Sequence, residues 1–130
     1  MGLDIVPISQ EKDGYCGQAC VAMITGLPLS IVVEQFGNRP GKGSTTYQIA
    51  MSLRWFGWDC EVVENSDLTN IPDLCILIVN CVGSRGLHAV VYHEGFIYDP
   101  GYKNGIVIAY SKEAMKFLKY KPKSFLKINL

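Results

Sequence analysis

Cys16 is a candidate nucleophile in this sequence. It follows a short loop and is the first residue of an apolar run with helical spacing. A cysteine at the N-terminus of a helix lies in the partial positive charge of that helix end, and this charge stabilises a thiolate. Gln10 lies six residues upstream, where its side-chain amide can fold back towards the thiol. A polarised thiol with an amide donor beside it has the parts that acyl transfer by cysteine requires.

A nucleophilic thiol also needs a base, and the sequence offers two histidines, His88 and His93. The segment that joins them reads as a strand, so their side chains lie on opposite faces. If a hairpin turns at residues 94–95, His93 pairs with Phe96, and His88 becomes a diagonal neighbour of Asp99 on the same face. Diagonal neighbours are roughly 7–8 Å apart, within reach of an imidazole and a carboxylate. The sequence therefore predicts a His88–Asp99 pair and places His93 beside the turn, facing solvent.

Each of these residues also has an ordinary structural explanation. A cysteine at a helix start is often a small buried hydrophobe, and a histidine in a strand is often a hydrogen-bonded structural residue. An Asp-Pro pair at a strand end is ordinary turn chemistry. The order Gln10, Cys16, His88, Asp99 is what favours a shared catalytic site. Cys20 lies one helical turn beyond Cys16 and is predicted to be a core residue.

The elements that must position these residues are helices first and strands later. Apolar periodicity and turn residues predict an extended arm or short strand at residues 3–8, helices at 16–25, 31–36, 46–56 and 112–119, and strands at 60–63, 74–80, 88–93, 95–99, 106–110 and 125–130. This order predicts an α+β fold, with an N-terminal helical lobe packed on a mostly antiparallel sheet. A length of 130 residues suits a single domain that covers residues 1–130.

Charge and composition argue against nucleic acid and membranes as partners of this protein. The net charge is zero, but residues 111–130 hold six Lys and one Glu, which we interpret as a solvated face. No basic stripe interleaved with aromatic residues is present, so nucleic acid is not an expected partner. No signal peptide opens the sequence and no apolar run reaches transmembrane length, so no membrane partner is expected. Five cysteines without an export signal favour reduced thiols in the cytoplasm.

Two kinds of ligand site can be set aside on spacing. The glycine-rich loop at residues 37–44 does not match a phosphate-binding loop, and we interpret it as a connection between two helices. Cys16 and Cys20 lie four residues apart on a helix, and Cys75 and Cys81 lie six apart. Neither pair has the short spacing of a structural zinc site. We therefore expect neither a metal nor a cofactor.

A family resemblance joins these segments. Residues 10–23, QEKDGYCGQACVAM, resemble the nucleophile motif of papain-like cysteine peptidases, most closely the peptidase domain of bacteriocin exporters, which cleaves double-glycine leaders. The run HAVVY that starts at His88 is similar to the histidine segment of that family, and residues 95–100, GFIYDP, to its Asp-Pro segment. The resemblance implies a papain-like fold. It also implies Cys16 as nucleophile, His88 as general base and acid, Asp99 as orienting carboxylate and Gln10 as oxyanion donor.

The sequence departs from that family in two respects. Tyr15 stands before the nucleophile, where the family usually has an acidic residue. The transmembrane and ATPase parts of the exporters are absent, so the expectation is a free-standing cytoplasmic peptidase. It would cleave a peptide or isopeptide bond in a peptide or protein substrate through a Cys16 acyl-enzyme, and the resemblance implies small residues such as Gly-Gly before that bond. Two alternatives remain open: the same site used as a deamidase or acyltransferase, and a catalytically inactive peptide-binding module.

Overall fold

The structure is a computed structural model that describes residues 4–12, 14–36, 45–64, 71–81, 83, 86–101 and 105–129. The described elements, in chain order, are α1 (Cys16–Thr25), α2 (Leu29–Phe36), α3 (Thr46–Trp55), β1 (Asp59–Glu64), β2 (Leu74–Cys81), β3 (Leu87–His93), β4 (Phe96–Asp99), β5 (Ile106–Ala109), α4 (Lys112–Leu118) and β6 (Tyr120–Asn129). The predicted glycine-rich loop at residues 37–44 and most of the predicted turn at residues 103–105 lie outside the described ranges.

The strands form one antiparallel sheet in the order β1-β6-β2-β3-β4-β5. Strands β2 to β5 follow one another in sequence, while the C-terminal strand β6 inserts between β1 and β2. Helices α1, α2 and α3 pack on one another, α1 on β3 and α3 on β1, while α4 packs on β6. The predicted α+β architecture, a helical lobe against an antiparallel sheet, is confirmed.

Strand β2 is buried on both faces, as its continuous apolar run predicts. Ile76 and Ile78 join the cluster that includes the helices α1 and α3. Leu77 and Val79 point the other way and pack with Phe125 and other apolar residues. Because side chains alternate along a strand, one strand serves two cores, and the sheet that carries the candidate site is held from both sides.

Helix α1 occupies the residues predicted for it. Eight consecutive residues of this helix, from Gly17 to Ile24, are buried. It ends at Gly26, whose φ of 74° is left-handed and whose N–H donates to the carbonyl of Ala22. Left-handed glycine at this position closes a helix at little steric cost. The buried helix packs on β3, so its N-terminal residue is brought against the start of that strand.

The hairpin of β3 and β4 has the predicted register. His93 pairs with Phe96, Tyr92 with Ile97 and Val91 with Tyr98. The two turn residues, at positions 94–95, have φ values of 47° and 90°. Positive φ at both central positions is the signature of the type I′ turn, whose twist matches that of the flanking strands. This register is what brings His88 and Asp99 to neighbouring positions.

Two predicted starts, those of α2 and β6, are wrong by more than one residue. Helix α2 begins at Leu29, two residues before the predicted start at residue 31. Of the two forms predicted for the N-terminal arm, an extended arm or a short strand, the described part, from residue 4, does not form a strand. Strand β6 begins at Tyr120, five residues before the predicted start.

Pro122 is the physical reason for the last error, because proline removes a donor and argues against a central strand. The register explains why it is tolerated. Among the described residues, β1 pairs with β6 only from Ser124 onwards, and Pro122 has a strand partner on the β2 side alone. A bulge between Ile78 and Val79 falls at the same place. Within the described ranges, the first residues of β6 thus pair on one side only, as in an edge strand, where proline is common.

The central position of β6 gives a test of the core. Leu126 is fully buried and pairs with Val62 on one side and Ile76 on the other. We expect Leu126→Ala to lower the free energy of unfolding by about 2–5 kcal/mol, because the sheet cannot close around the cavity. Urea denaturation followed by circular dichroism measures this. The matched change Leu87→Ala, at a side chain that is 52% exposed, should cost less than about 0.5 kcal/mol, and equal losses would contradict the described core.

Candidate active site

Cys16 is the first residue of α1, at the end of the helix that carries partial positive charge. Its N-cap residue, Tyr15, makes no side-chain capping hydrogen bond, and the first turn contains no acidic residue. No negative side chain in that turn therefore offsets the helix end. The sulfur of Cys16 also accepts hydrogen bonds from the backbone N–H groups of Gly17 and Ala89. Each of these features favours the thiolate over the thiol.

His88 connects Cys16 to Asp99. Its Nε2 lies 2.7 Å from Oδ1 of Asp99, and the two side chains are 13% and 0% exposed. Because a carboxylate can only accept, Nε2 carries the proton in this bond. The imidazole also hydrogen bonds with the Cys16 thiol, which leaves Nδ1 as the ring atom for that contact. The predicted His88–Asp99 pair is present, and it extends to the cysteine.

The three side chains shift one another's pKa values. Burial disfavours the Cys16 thiolate, but the hydrogen bond and the charge of His88 outweigh it, so the pKa of Cys16 lies below its usual value of 9.0. Burial likewise disfavours the His88 imidazolium, yet Asp99 and Cys16 raise its pKa to about 9. An acid with a lowered pKa beside a base with a raised pKa forms a thiolate–imidazolium pair around neutral pH. That pair is the reactive state of a thiol nucleophile.

Other cysteines of the chain show the opposite behaviour. Burial raises the pKa of Cys20 well above 9.0, and it raises the pKa of Cys75 to about 12. The pKa of Cys60 is also raised, first by burial. Cys20 is fully buried in the helical cluster, which agrees with its prediction as a core residue. Chemical reactivity can therefore separate Cys16 from these thiols.

Asp99 receives two further hydrogen bonds that sequence reasoning missed. The backbone N–H of Gly101 donates to Oδ1 at 2.8 Å, and the hydroxyl of Tyr120 donates to Oδ2 at 2.5 Å. Burial raises the pKa of Asp99, but His88, Tyr120 and Gly101 together bring it below its usual value. A fully buried carboxylate thus remains ionised because every side of it meets a donor.

Tyr120 was overlooked because β6 was predicted to start too late. The sequence does contain a signal: from Tyr120 to Ser124, lysines occupy every second position. Alternation of lysine with less polar residues is typical of a strand that has one solvated face. Lys121 and Lys123 are exposed in the structure, whereas Tyr120 and Pro122 are partly buried on the other face.

Gln10, the predicted oxyanion donor, lies close to the segment that follows Asp99. Its backbone N–H donates to the carbonyl of Pro100 at 2.9 Å, which ties it to the residue after Asp99. Its side-chain Nε2 donates to the carbonyl of Lys12 at 2.9 Å, and its Oε1 is buried without a hydrogen-bond partner among the described residues. The amide therefore stands close to the Asp99 segment and is held by a local turn.

His93 is not solvent-facing, so that prediction is wrong. The residue is 6% exposed, its Nδ1 lies 3.2 Å from the carbonyl of Asp73, and its Nε2 lies 3.9 Å from a carboxylate oxygen of Glu94. It pairs with Leu74 at the far end of β3 from His88. The segment before β2 covers this end of the hairpin, which strand alternation alone could not reveal.

The described residues lack two other kinds of feature. No group of three or more His, Cys, Asp or Glu side chains in these ranges could hold a metal ion. Within the same ranges, no helix combines the length and apolar composition needed to cross a membrane.

Comparison with solved structures supports the fold. The chain is similar to a double glycine motif protease from an AMS/PCAT transporter, whose crystal structure was determined in complex with the leader peptide. The two superpose with a TM-score of 0.70 at 19% sequence identity, over 96% of this chain and 91% of that one. This likeness confirms the papain-like α+β fold that the sequence resemblance implied. No family model and no curated protein matches the sequence.

The dependence of His88 on Asp99 can be measured directly. We expect Asp99→Asn to lower the pKa of His88 from about 9 by at least about one pH unit, because burial then outweighs the remaining contact with Cys16. An NMR titration of the imidazole Cε1–H, assigned with His93→Gln, reports this value. Asp59→Asn, at an exposed carboxylate on β1, is the control and should leave the His88 titration unchanged. An identical His88 titration in Asp99→Asn would contradict the described pair.

Gly101 gives a second test, because it lies against both members of the pair. A Cβ added there would stand 3.1 Å from Oδ1 of Asp99 and from Nε2 of His88. His88 is held between Asp99 and Cys16, so we expect Gly101→Ala to displace the ring and to slow alkylation of Cys16 about tenfold. Gly57→Ala is the control, since its Cβ meets nothing within 4 Å but its φ is +90°. That variant should lose stability and keep its alkylation rate, and the opposite ranking of the two rates would refute the close approach.

Proposed function

We propose that this protein is a cysteine peptidase whose nucleophile is Cys16. The observation that carries the proposal is the continuous chain of hydrogen bonds from the thiol of Cys16, through His88, to the buried carboxylate of Asp99. It stands at the N-terminus of α1, and it lowers the pKa of the thiol while it raises that of the imidazole. Nucleophile, base and orienting group are the parts of covalent acyl transfer.

The first half of the reaction follows from these positions. The Cys16 thiolate attacks the carbonyl carbon of the cleaved bond, and a C–S bond forms while the carbonyl oxygen takes up negative charge. The backbone N–H of Cys16, at the helix start, is suited to donate to that oxyanion. His88, protonated on Nδ1, gives that proton to the leaving amine as the C–N bond breaks. Throughout, Asp99 holds Nε2–H and fixes the orientation of the ring.

The second half regenerates the enzyme. A water molecule gives a proton to Nδ1 of His88 and attacks the thioester carbon. The C–S bond then breaks, the acid is released, and the thiolate–imidazolium pair is restored. His88 thus serves first as acid and then as base, and no cofactor is needed for either step.

Gln10 is proposed as the second oxyanion donor. Its Nε2 has two N–H groups, and the contact with the carbonyl of Lys12 at 2.9 Å occupies one of them. The bond between its backbone and Pro100 keeps it beside the Asp99 segment. The remaining N–H is the one that we propose donates to the oxyanion. Loss of one such donor typically costs about 3–4 kcal/mol of transition-state stabilisation.

The proposed substrate is a peptide or protein with small residues before the cleaved bond. The structurally similar protein is a double glycine motif protease that was solved with a leader peptide. We extend the preference for small residues, such as Gly-Gly, to this chain on the basis of that structural likeness.

Alkylation with iodoacetamide at about pH 6, read by peptide mapping, tests the nucleophile. Only about 0.3% of an ordinary thiol is ionised at that pH, given a pKa near 8.5. We expect Cys16 to be labelled well before Cys20, Cys60 and Cys75, because its pKa alone among these four is lowered. His88→Ala should slow labelling of Cys16 at least about tenfold, since burial then raises the thiol pKa. Labelling of Cys16 at the same slow rate in both proteins would refute the proposal.

Turnover is tested with synthetic peptides that contain an internal Gly-Gly, analysed by mass spectrometry. The wild-type protein should release two fragments and Cys16→Ala should release none, because the acyl-enzyme cannot form. Deamidated peptide in place of fragments would assign the same site to a deamidase. Binding of peptide with equal affinity by both proteins, without any product, would identify a binding module and overturn the enzyme assignment.

A further inference from the structure

We propose that Tyr120 is a positioning residue of this site: its hydroxyl fixes the carboxylate of Asp99, and its ring fixes the imidazole of His88. The inference rests on the proposed function, since positioning matters only if the pair is catalytic. Tyr120 comes from the first residue of β6, far in sequence from the segments that supply the other groups. It lies outside the segments that resemble the peptidase family, residues 10–23, 88–92 and 95–100.

The hydroxyl completes the hydrogen bonding of Asp99. Oδ1 accepts from Nε2 of His88 and from the N–H of Gly101, and Oδ2 accepts from Tyr120 at 2.5 Å. Because Asp99 is fully buried, water is not available to replace a lost donor. With both oxygens held, the carboxylate plane cannot rotate. The direction in which it accepts from His88 is therefore set by Tyr120 together with Gly101.

The ring of Tyr120 acts on His88 directly. The two ring centroids are 5.4 Å apart, with the planes tilted by 44°. An imidazolium within about 6 Å of an aromatic ring is attracted to that ring. The contact also limits rotation of the imidazole and reduces its exposure to water, which is 13% for the side chain. Tyr120 thus holds both partners of the 2.7 Å bond.

Tyr120 is itself held by rigid structure. Helix α4 ends at Leu118, and its C-cap residue Lys119, with a φ of 60° and a ψ of 40°, has a left-handed conformation. Tyr120 then enters β6 paired with Cys81 of β2. The helix end and the strand pair fix the position of Tyr120. Its side chain can therefore restrain the hairpin that carries His88 and Asp99. This is the arrangement that a positioning residue requires.

A matched control lies on the same surface. Another edge of Tyr120 lines a cavity of about 420 Å³ between α4 and β6, together with Tyr110, Met115 and other residues. Tyr110 packs edge-to-face against Tyr92. Among the contacts of the described residues, Tyr110 has none with Asp99 or His88. Removing its hydroxyl changes the same cavity without touching the pair.

The test is the pH profile of Cys16 alkylation in wild type, Tyr120→Phe and Tyr110→Phe. Loss of the hydroxyl leaves Asp99 with one donor fewer, so its pKa rises and the low-pH limit of reactivity moves upward. We expect a shift of about one pH unit for Tyr120→Phe, from the strength of a hydrogen bond to a charged group. Tyr110→Phe should keep the wild-type profile. Tyr120→Leu, which also removes the ring, should in addition slow alkylation several-fold at every pH.

The possible outcomes separate the two proposals. If Tyr120→Phe is folded by circular dichroism and has the wild-type profile, the positioning role is overturned while the peptidase proposal stands. An equal shift in Tyr110→Phe would also overturn it, since the effect would then come from the cavity. Should Tyr120→Phe fail to fold, the Tyr120→Leu and Tyr110→Phe profiles decide: a profile for Tyr120→Leu equal to wild type refutes the role. Failure of the peptidase proposal looks different, because wild type and His88→Ala would then react alike.

Discussion

The buried carboxylate of Asp99 imposes a constraint on everything around it. A charge with no exposed surface costs several kcal/mol unless donors surround it. The donors here come from three separate places: the imidazole of His88 on β3, the backbone of Gly101 just after β4, and the hydroxyl of Tyr120 on β6. The hairpin register and the early start of β6 are both needed to bring them together. The site thus forms where residues of β3, β4 and β6 come together, and this requires the complete sheet.

The buried ion pair affects the orientation and the protonation states of its members more than it affects the net stability of the fold. A buried ion pair often contributes little net stability, because desolvation offsets the attraction between the charges. What it does provide is a fixed direction and a shifted protonation state. His88 holds its proton to about pH 9 although burial opposes this, and Cys16 loses its proton more easily than an ordinary thiol although burial opposes that too. Such opposed shifts on neighbouring groups are characteristic of functional sites rather than of cores.

The sequence predicts the parts of this site that depend on local rules. Helix α1, the buried strand β2 and the type I′ hairpin each follow from periodicity and turn residues, and the hairpin register alone selects His88 over His93 as the partner of Asp99. The misses depend on tertiary context. His93 is covered by the segment before β2, and Tyr120 reaches Asp99 only because a proline-containing stretch is accepted as a strand where β1 no longer pairs. A local sequence pattern does not show which distant segment of the chain covers a given side chain.

Tyr15 is where the sequence departs from the peptidase family it resembles, and the structure gives that departure a physical meaning. A carboxylate at the start of α1 would place a negative charge beside the sulfur and oppose formation of the thiolate. Tyr15 is 4% exposed and makes no side-chain capping bond, and no acidic residue follows it in the first turn. The partial positive charge of the helix end therefore acts on Cys16 without that opposition. Tyr15 at this position therefore favours the ionised form of Cys16.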